Sequence, residues 1–321
     1  MTGVGFIGGF GRSGSTLLER IIAELPGVCA LGEVVHMWER GVRDNELCAC
    51  GQHFHDCPFW RAVGEGAFGG WQHVDVDAIT RMHDRVDRTR FIPVDLVSGK
   101  LSARHAQARA YADYFARVYA AAAKVSGAQI VVDSSKNAST AYALRANDNV
   151  ALRVLHVIRD SRGVAYSWTK QVARPEAAES GDHPWMQQYS PGVSALLWDA
   201  HNLAFAALGR TGVPVLPVFY ERFLAAPRDS LATIAAFLGA ELGDTARFLD
   251  DRMVRLGSTH QVAGNPMRFR TGEVQLRSDE AWRTEFPKRA GRLVTALTAP
   301  LMLRYGYRPP TRPVRAESMS G

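Results

Sequence analysis

A glycine-rich segment between an apolar strand pattern and a helical pattern dominates the N-terminal part of the sequence. The run from Val4 to Ile7 is typical of a buried parallel strand, and glycines follow at positions 8, 9, 11 and 14. From Ser15 onward, apolar residues recur at helical spacing until Pro26 and Gly27 end the pattern. Glycines permit a tight turn, and the free N–H groups at a helix N-terminus attract an anion. The segment therefore predicts a phosphate-binding loop in an α/β fold.

The loop differs from the ATP-binding P-loop, G-x-x-x-x-G-K-[ST], at its lysine position. When Gly9 and Gly14 are aligned with the two glycines, Thr16 is the hydroxyl residue and Ser15 replaces the lysine. The cation lies earlier, at Arg12, inside the loop. An enzyme that acts on a nucleoside triphosphate needs the lysine on the phosphates and a hydroxyl on Mg²⁺. The loop therefore suits a single tetrahedral group at the 5′ end of a nucleotide better than a triphosphate.

Two segments resemble the donor-binding signatures of sulfotransferases that use 3′-phosphoadenosine 5′-phosphosulfate (PAPS). GRSGSTLL, residues 11–18, resembles the 5′-phosphosulfate loop of that family. VLHVIRDSRGVAYSW, residues 154–168, resembles its 3′-phosphate signature, a strand followed by an arginine and then a helix with a serine. A guanidinium can pair bidentately with phosphate, and the hydroxyl adds a donor. The resemblance implies that the 5′-phosphosulfate is bound by Arg12, Ser13, Gly14, Ser15 and Thr16, and the 3′-phosphate by Arg159 and Ser167.

The resemblance also implies catalytic residues. Tyrosylprotein sulfotransferases share the R-S-G-[ST]-T opening, and a Gly-Glu pair follows it at the spacing that separates Arg12 from Glu33 here. In those enzymes the glutamate is the general base, which takes a proton from the acceptor hydroxyl. His36 is the alternative base, because cytosolic members use a histidine. Lys136 matches a lysine near the transferred group, where it would neutralise developing charge, or it is an exposed lysine that caps a turn.

Weaker similarities suggest further donor contacts. The sequence Tyr-Glu-Arg-Phe from Tyr220 resembles the Y-E-x-[LF] of many sulfotransferases, in which the tyrosine borders the adenine or a phosphate; plain packing is the equal alternative. Family members close over the 3′-phosphate with a basic, glycine-containing segment near the C-terminus. The basic turn of residues 264–270 therefore nominates Asn265 and Arg268 as donor contacts, with Arg270 as a substitute.

The element pattern predicts one sulfotransferase domain over residues 1–308, with a central parallel sheet flanked by helices. Residues 61–103 and 174–192 are expected to be acceptor-side insertions, and residues 309–321 have the composition of a disordered tail. Strands are expected at 129–133, 152–158 and 213–219, and helices at 104–124, 192–210, 227–238 and 244–252.

The net charge of +6 includes no lysine or arginine block, so it favours an anionic cofactor over a nucleic acid partner. The sequence contains no apolar run long enough to span a membrane. The N-terminus leads directly into the first strand, which leaves no room for a secretory signal. A cytoplasmic location is the resulting expectation.

Three cysteines and two histidines lie close together between residues 48 and 57. Cys48, Cys50 and Cys57 have the spacings C-x-C and C-x₆-C, which are not those of a standard zinc finger, and no second ligand pair follows. Similar segments recur in bacterial sulfotransferase-like sequences. A zinc site, a labile disulfide and a thiol-rich structural turn are the three interpretations of this segment. The sulfuryl transfer that the resemblance implies needs no metal.

The predicted reaction is transfer of a sulfuryl group from PAPS to a hydroxyl or amine, which leaves adenosine 3′,5′-bisphosphate. Peptide tyrosine, sugar, lipid and secondary metabolite all remain possible acceptors. One alternative is a P-loop kinase or NTPase, for which Asp133 is the candidate Walker-B acid. The other is a nucleotide-binding protein that has lost catalysis.

Overall fold

The computed structural model describes residues 1–97, 102–173, 185–243, 248–250 and 252–307. Its centre is a parallel five-stranded sheet in the order β2-β3-β1-β4-β5. The predicted α/β class, a central parallel sheet flanked by helices, is confirmed. The strands are β1 (Thr2–Gly8), β2 (Val28–Gly32), β3 (Ile130–Lys136), β4 (Val150–Ile158) and β5 (Val215–Phe219).

Both faces of the sheet are buried, as the apolar character of its strands requires. Successive side chains of a strand point to opposite faces, so Val4 and Phe6 of β1 pack into one core while Ile7 packs into the other. The helices that surround the sheet are α1 (Ser15–Ile22), α2 (Val34–His36), α3 (Pro58–Phe68), α4 (Val76–Val86), α5 (Ile92–Val97), α6 (Ala103–Ser126), α7 (Ala138–Leu144), α8 (Ser161–Thr169), α9 (Pro191–Gly209), α10 (Tyr220–Ala225), α11 (Pro227–Leu238), α12 (Trp282–Glu285) and α13 (Lys288–Arg304).

Most of the predicted helices are found, but the one expected at 244–252 is wrong. Phe248–Asp250 instead forms a short strand, β6, which pairs with β7 (Met253–Leu256). The strand β8 (Gly272–Gln275) completes this antiparallel sheet. The expected tail at 309–321 and residues 174–184 of the second insertion lie outside the described residues. In the part of the chain that the structure describes, no helix has both the length and the apolar character needed to cross a bilayer.

The order of the sheet determines where a ligand can bind. β1 lies between β3 and β4, so chain connections leave it in both directions. In open α/β sheets, ligands bind beyond the carboxyl ends of the strands at such a switch point. The glycine-rich loop follows β1, Glu33 follows β2, Lys136 ends β3 and Arg159 follows β4. The fold therefore brings these sequence-distant groups to one edge.

Candidate active site

A cavity of about 650 Å³ lies at this edge of the sheet. Its walls come from the loop after β1, the ends of β2 and β3, α8, and two segments further along the chain, 185–189 and 264–267. Arginine and lysine side chains dominate its charged groups, and Glu33 supplies a carboxylate. The predicted site residues that line it are Arg12, Gly14, Ser15, Thr16, Glu33, Lys136, Arg159, Ser167 and Asn265, together with the alternative base His36.

The loop after β1 is a tight turn that leads directly into α1. Gly14 precedes the helix with φ 91° and ψ 12°, a left-handed conformation that suits glycine. A Cβ atom at this position would lie only 2.4 Å from the ring of Tyr220. Ser13 donates a hydrogen bond from Oγ to the carbonyl of Phe10 at 2.7 Å, which closes the turn. The loop thus presents the first N–H groups of α1 to the cavity, as an anion-binding site requires.

Arg12 supplies the cation of this loop. Its guanidinium lies 5.3 Å from the ring centroid of Trp168, and Nη2 lies 3.4 Å from Sδ of Met186. Burial lowers the pKa of Arg12, while the nearby carboxylate of Glu33 opposes this shift. An arginine side chain nevertheless stays protonated in proteins. A fixed positive charge therefore stands beside the anion-binding turn.

The second predicted signature lies against the first. Arg159 donates from Nη1 to the carbonyl oxygen of Arg12 at 3.0 Å, and its guanidinium lies 4.7 Å from the ring centroid of Tyr220. Its Nη2 lies 3.8 Å from the carboxylate of Asp279, which is also 3.4 Å from Nζ of Lys170. Arg159 and Lys170 therefore share one carboxylate at this corner.

Glu33 is buried in the cavity wall beside two basic side chains. Lys136 donates from Nζ to Oε1 of Glu33, and Nε2 of His36 lies 3.8 Å from Oε2. Burial raises the pKa of Glu33, but the charges of Lys136 and His36 outweigh it, so the pKa is lowered overall. Glu33 is therefore ionised at neutral pH. Lys136 has a left-handed φ of 67°, and its carbonyl accepts from the N–H of Gly9 at 3.1 Å.

The segment of residues 257–270 closes the cavity on the side of Glu33. Val262 accepts from the N–H of Glu33 at 2.9 Å and donates to the carbonyl of Leu31 at 2.8 Å, so the segment extends the edge of β2. Gly264 has φ 92°, and a Cβ there would lie 2.4 Å from Oε1 of Glu33. Only a glycine can approach this carboxylate so closely. Asn265, next in the chain, lines the cavity.

Several nominated residues do not line the cavity. Ser13 and Tyr220 are buried in the wall behind it, where they shape the loop as described. Arg268 is 1% exposed and donates to the carbonyl of Gly264 at 2.9 Å, so its nomination as a donor contact is corrected: the buried guanidinium serves backbone carbonyls. Arg270 is exposed, and its carbonyl accepts from Arg20 at 2.6 Å.

Asp133, the candidate Walker-B acid, lies within β3 and is completely buried. Its carboxylate accepts hydrogen bonds from Tyr119 and from the hydroxyl and N–H of Ser135. Burial raises the pKa of Asp133 to about 6. The carboxylate does not line the cavity, and its hydrogen bonds hold the end of β3 and the helix α6 together. Its surroundings are those of a structural group.

The structure adds cavity residues that the sequence did not single out. Phe10, Trp168 and Tyr189 form an aromatic wall, with ring centroids 5.4 Å apart for Phe10 and Trp168 and 4.5 Å apart for Trp168 and Tyr189. Arg40 also lines the cavity and pairs with Glu46 at 2.6 Å. Its position seven residues after Glu33, two helical turns, was the available signal. The aromatic rings come from three distant segments, so no local pattern marks them.

The two predicted acceptor-side insertions differ in their relation to the cavity. Residues 185–189 of the second insertion contribute Trp185, Met186, Gln187 and Tyr189 to its lining. None of residues 61–97, the described part of the first insertion, lines it. That stretch contains helices, and Asp75 caps α4 by accepting a hydrogen bond from the N–H of Ala78 at 2.8 Å.

The fold and the site together define an α/β protein in which a glycine-rich loop, a second basic corner and a paired carboxylate meet at one cavity. The model of the sulfotransferase family matches residues 6–244, more than half of the chain, and the chain belongs to this family. The family membership and the fold support sulfuryl-transfer activity in general.

Three solved structures are similar to the chain in outline. The sulfotransferase domain from the curacin biosynthetic pathway has a TM-score of 0.48 and 15% identity over 97% of this chain and 99% of its own. Sulfotransferase STF9 from Mycobacterium avium has a TM-score of 0.47 and 11% identity over 96% and 78%. A sulfotransferase from Alicyclobacillus acidocaldarius has a TM-score of 0.35 and 13% identity over 94% and 96%. No curated protein matches the chain.

Proposed function

We propose that this protein transfers a sulfuryl group from PAPS to an acceptor hydroxyl or amine and releases adenosine 3′,5′-bisphosphate. The observation that supports it most is the meeting of Arg12 and Arg159, 147 residues apart, at one cavity. Two fixed cations on neighbouring strand-to-helix turns suit a small molecule with anionic groups at two ends. Ser15 and Thr16 stand beside the first cation and Ser167 beside the second.

Each charged group of the cavity has its own role in the proposed transfer. Glu33 takes the proton of the acceptor as the acceptor atom forms its bond to sulfur. The bond between sulfur and the bridging phosphate oxygen breaks, and its electron pair stays on the phosphate of the leaving bisphosphate. Arg12 and the N–H groups at the start of α1 stabilise that phosphate, while Lys136 neutralises the sulfuryl oxygens. Lys136 and Glu33 are in contact, which suits roles at the same reacting group.

The nucleoside triphosphate alternative finds less support in the same geometry. Ser15 occupies the position at which a kinase or NTPase places its lysine. The carboxylate of Asp133 accepts hydrogen bonds from Tyr119 and Ser135 and does not line the cavity. An ionised carboxylate at the cavity wall supports a transferase over a binding-only protein, because a general base has to be deprotonated and within reach of the acceptor.

Donor binding is tested by calorimetric titration of two nucleotides that differ in the 3′-phosphate. Arg159→Ala should weaken binding of adenosine 3′,5′-bisphosphate much more than that of adenosine 5′-phosphosulfate, which lacks this group. The control is Arg109→Ala, at an exposed arginine of α6, which should bind both as the wild type does. Equal losses for both nucleotides in Arg159→Ala would remove the 3′-phosphate assignment.

The acceptor class is approached with PAPS labelled in the sulfuryl group. Transfer is measured to representative phenols, tyrosine peptides, sugars, lipids and amines, with the Glu33→Gln variant as the background for each. Label found on one class with the wild type alone identifies the acceptor. Donor binding without transfer to any class in either protein would favour a protein that binds the nucleotide without catalysis.

A further inference from the structure

Four potential metal ligands converge where residues 48–57 meet the segment of residues 257–270. They are Cys48, Cys50, Cys57 and His260, and their ligand atoms all lie within 4.8 Å of one another. Sγ of Cys57 lies 3.3 Å from Nδ1 of His260 and 3.7 Å from Sγ of Cys50. Sγ of Cys48 lies 3.8 Å from the same histidine nitrogen. His260 joins the cysteines from 203 residues further along the chain, which is why the cysteine spacings alone did not reveal a fourth ligand.

From this convergence we infer that the protein binds one structural zinc ion through Cys48, Cys50, Cys57 and His260. Zinc takes thiolates at about 2.3 Å and imidazole nitrogens at about 2.0–2.1 Å in a tetrahedron. The edges of such a tetrahedron are roughly 3.5–3.8 Å long. The three measured separations, from 3.3 to 3.8 Å, already have this size.

The surroundings of the four ligands are those of a closed site. Cys48 and Cys57 are completely buried, and Cys50 and His260 are half-buried. The imidazole of His260 stacks on Phe59 with ring centroids 4.9 Å apart and an interplanar angle of 9°, which fixes its orientation. Three thiolates and one imidazole fill all four positions of a tetrahedral zinc ion, and none remains for a substrate. The zinc is therefore structural.

The proposed ion would join residues 48–57 to the segment of residues 257–270. Two hydrogen bonds already connect them: the indole of Trp60 donates from Nε1 to the carbonyl of His260 at 2.8 Å, and the backbone N–H of Ala49 donates to the carbonyl of Gln261 at 3.0 Å. Val262, two residues after His260, accepts from the N–H of Glu33, and Gly264 touches its carboxylate. The zinc would stabilise the position of this segment. The inference concerns folding and does not depend on the proposed transfer.

Metal content is the first test. The full chain is prepared without a histidine tag, exposed to excess zinc chloride, desalted and analysed by mass spectrometry for zinc per chain. The wild type should hold one zinc ion. Cys50→Ser, at a half-buried ligand where substitution disturbs the core least, should hold much less zinc per chain after desalting than the wild type does.

Cys29→Ser is the matched control, because Cys29 is the one remaining cysteine of the sequence and lies in β2. It should hold zinc as the wild type does. A wild type that holds no zinc, or equal zinc in Cys50→Ser and Cys29→Ser, would overturn the inference. A wild type that holds no metal and has two fewer free thiols than its four cysteines would also overturn it, in favour of a disulfide.

Substitution with cobalt(II) chloride gives a readout that does not require any variant to fold. The wild-type protein, stripped of metal and loaded with cobalt, should show thiolate-to-cobalt charge-transfer absorption and the intense visible bands of tetrahedral cobalt. Added zinc chloride should displace the cobalt, so that both kinds of absorption disappear. Weak octahedral bands, or no thiolate absorption, would contradict a site with three cysteine ligands.

Discussion

The ammonium group of Lys136 donates directly to the carboxylate of Glu33 in the wall of the cavity. The pair determines the protonation state of the proposed base, because burial alone would raise the pKa of Glu33 and the charge of Lys136 reverses that shift. The same lysine is held in a left-handed backbone conformation at the end of β3. A residue in that sparsely populated conformation is typical of a functional site.

Replacement of this lysine should therefore change the pH dependence of the reaction. In Lys136→Gln the burial of Glu33 is no longer offset by the lysine charge, so its pKa rises from a value below the usual 4.5. A base works only when deprotonated, so the acidic limb of kcat/KM should move to higher pH. Profiles of kcat/KM against pH for the wild type and the variant measure this shift.

Lys136→Arg is the matched control, since it keeps the positive charge beside Glu33. Its acidic limb should stay near that of the wild type even if its rate falls. An unmoved limb in Lys136→Gln would show that Glu33 does not titrate in the rate-limiting step.

Glu33→Gln should separate binding from catalysis. The amide keeps the size of the side chain but cannot accept a proton, so kcat should fall by roughly 10²–10⁴-fold. The affinity for adenosine 3′,5′-bisphosphate should stay close to that of the wild type, because the phosphate-binding groups are unchanged. Single-turnover rates with labelled PAPS and calorimetric titrations measure the two quantities.

The control for this substitution is Glu39→Gln, at an exposed glutamate whose carboxylate lies 3.8 Å from the guanidinium of Arg43. It should leave kcat unchanged. Near-normal turnover in Glu33→Gln would transfer the base role to His36, whose imidazole lies 3.8 Å from the same carboxylate.

Asp279→Asn should strengthen donor binding. The carboxylate of Asp279 lies within 4 Å of both Arg159 and Lys170 and competes with any anion for these cations. Without its charge, adenosine 3′,5′-bisphosphate should bind several-fold more tightly, while adenosine 5′-phosphosulfate should bind as before. Asp148→Asn, at an exposed aspartate near Arg109, is the control for a general change in charge. Weaker bisphosphate binding in Asp279→Asn would show that the carboxylate mainly orients Arg159.

The sequence predicted best those features that local pattern alone determines. The glycine-rich turn before α1 and the strand-to-helix turn at Arg159 were found because strand, turn and helix follow each other within a few residues. The long helix α6 was found for the same reason, because its apolar residues recur at helical spacing within one segment. Residues of both segments line the cavity, so the sequence alone was enough to select them.

The features that the sequence missed depend on contacts between distant residues. The strand Phe248–Asp250 has only three residues, too few for a periodic signal, and exists because it pairs with β7. Arg268 shows the opposite difficulty, since a basic residue in a turn gives no sign that its guanidinium is buried. His260 joins Cys57 across 203 residues, so no spacing rule could have paired them.

A last prediction concerns Glu19, a buried carboxylate of α1 that holds the ends of β2 and β3 together. It accepts from the N–H of Gly32 at 2.8 Å and from the hydroxyl of Ser134 at 2.6 Å. Burial raises the pKa of Glu19 to about 7. The folded state therefore favours the protonated form, and its stability is complete below the unfolded pKa of about 4.5 and falls as the pH rises to about 7. This loss amounts to roughly 3 kcal/mol.

Glu19→Gln removes the titration and keeps both hydrogen bonds, because the amide oxygen can accept from Gly32 and the amide nitrogen can donate to the oxygen of Ser134. The melting temperature of the variant relative to the wild type should therefore rise between about pH 5 and about pH 8.5. Glu19→Ala loses both hydrogen bonds, so it should melt below Glu19→Gln at either pH, at a cost of about 1–3 kcal/mol for each buried group left unpaired. Thermal unfolding at the two pH values measures all three proteins. A difference between Glu19→Gln and the wild type that does not change with pH would mean that Glu19 does not titrate in this range.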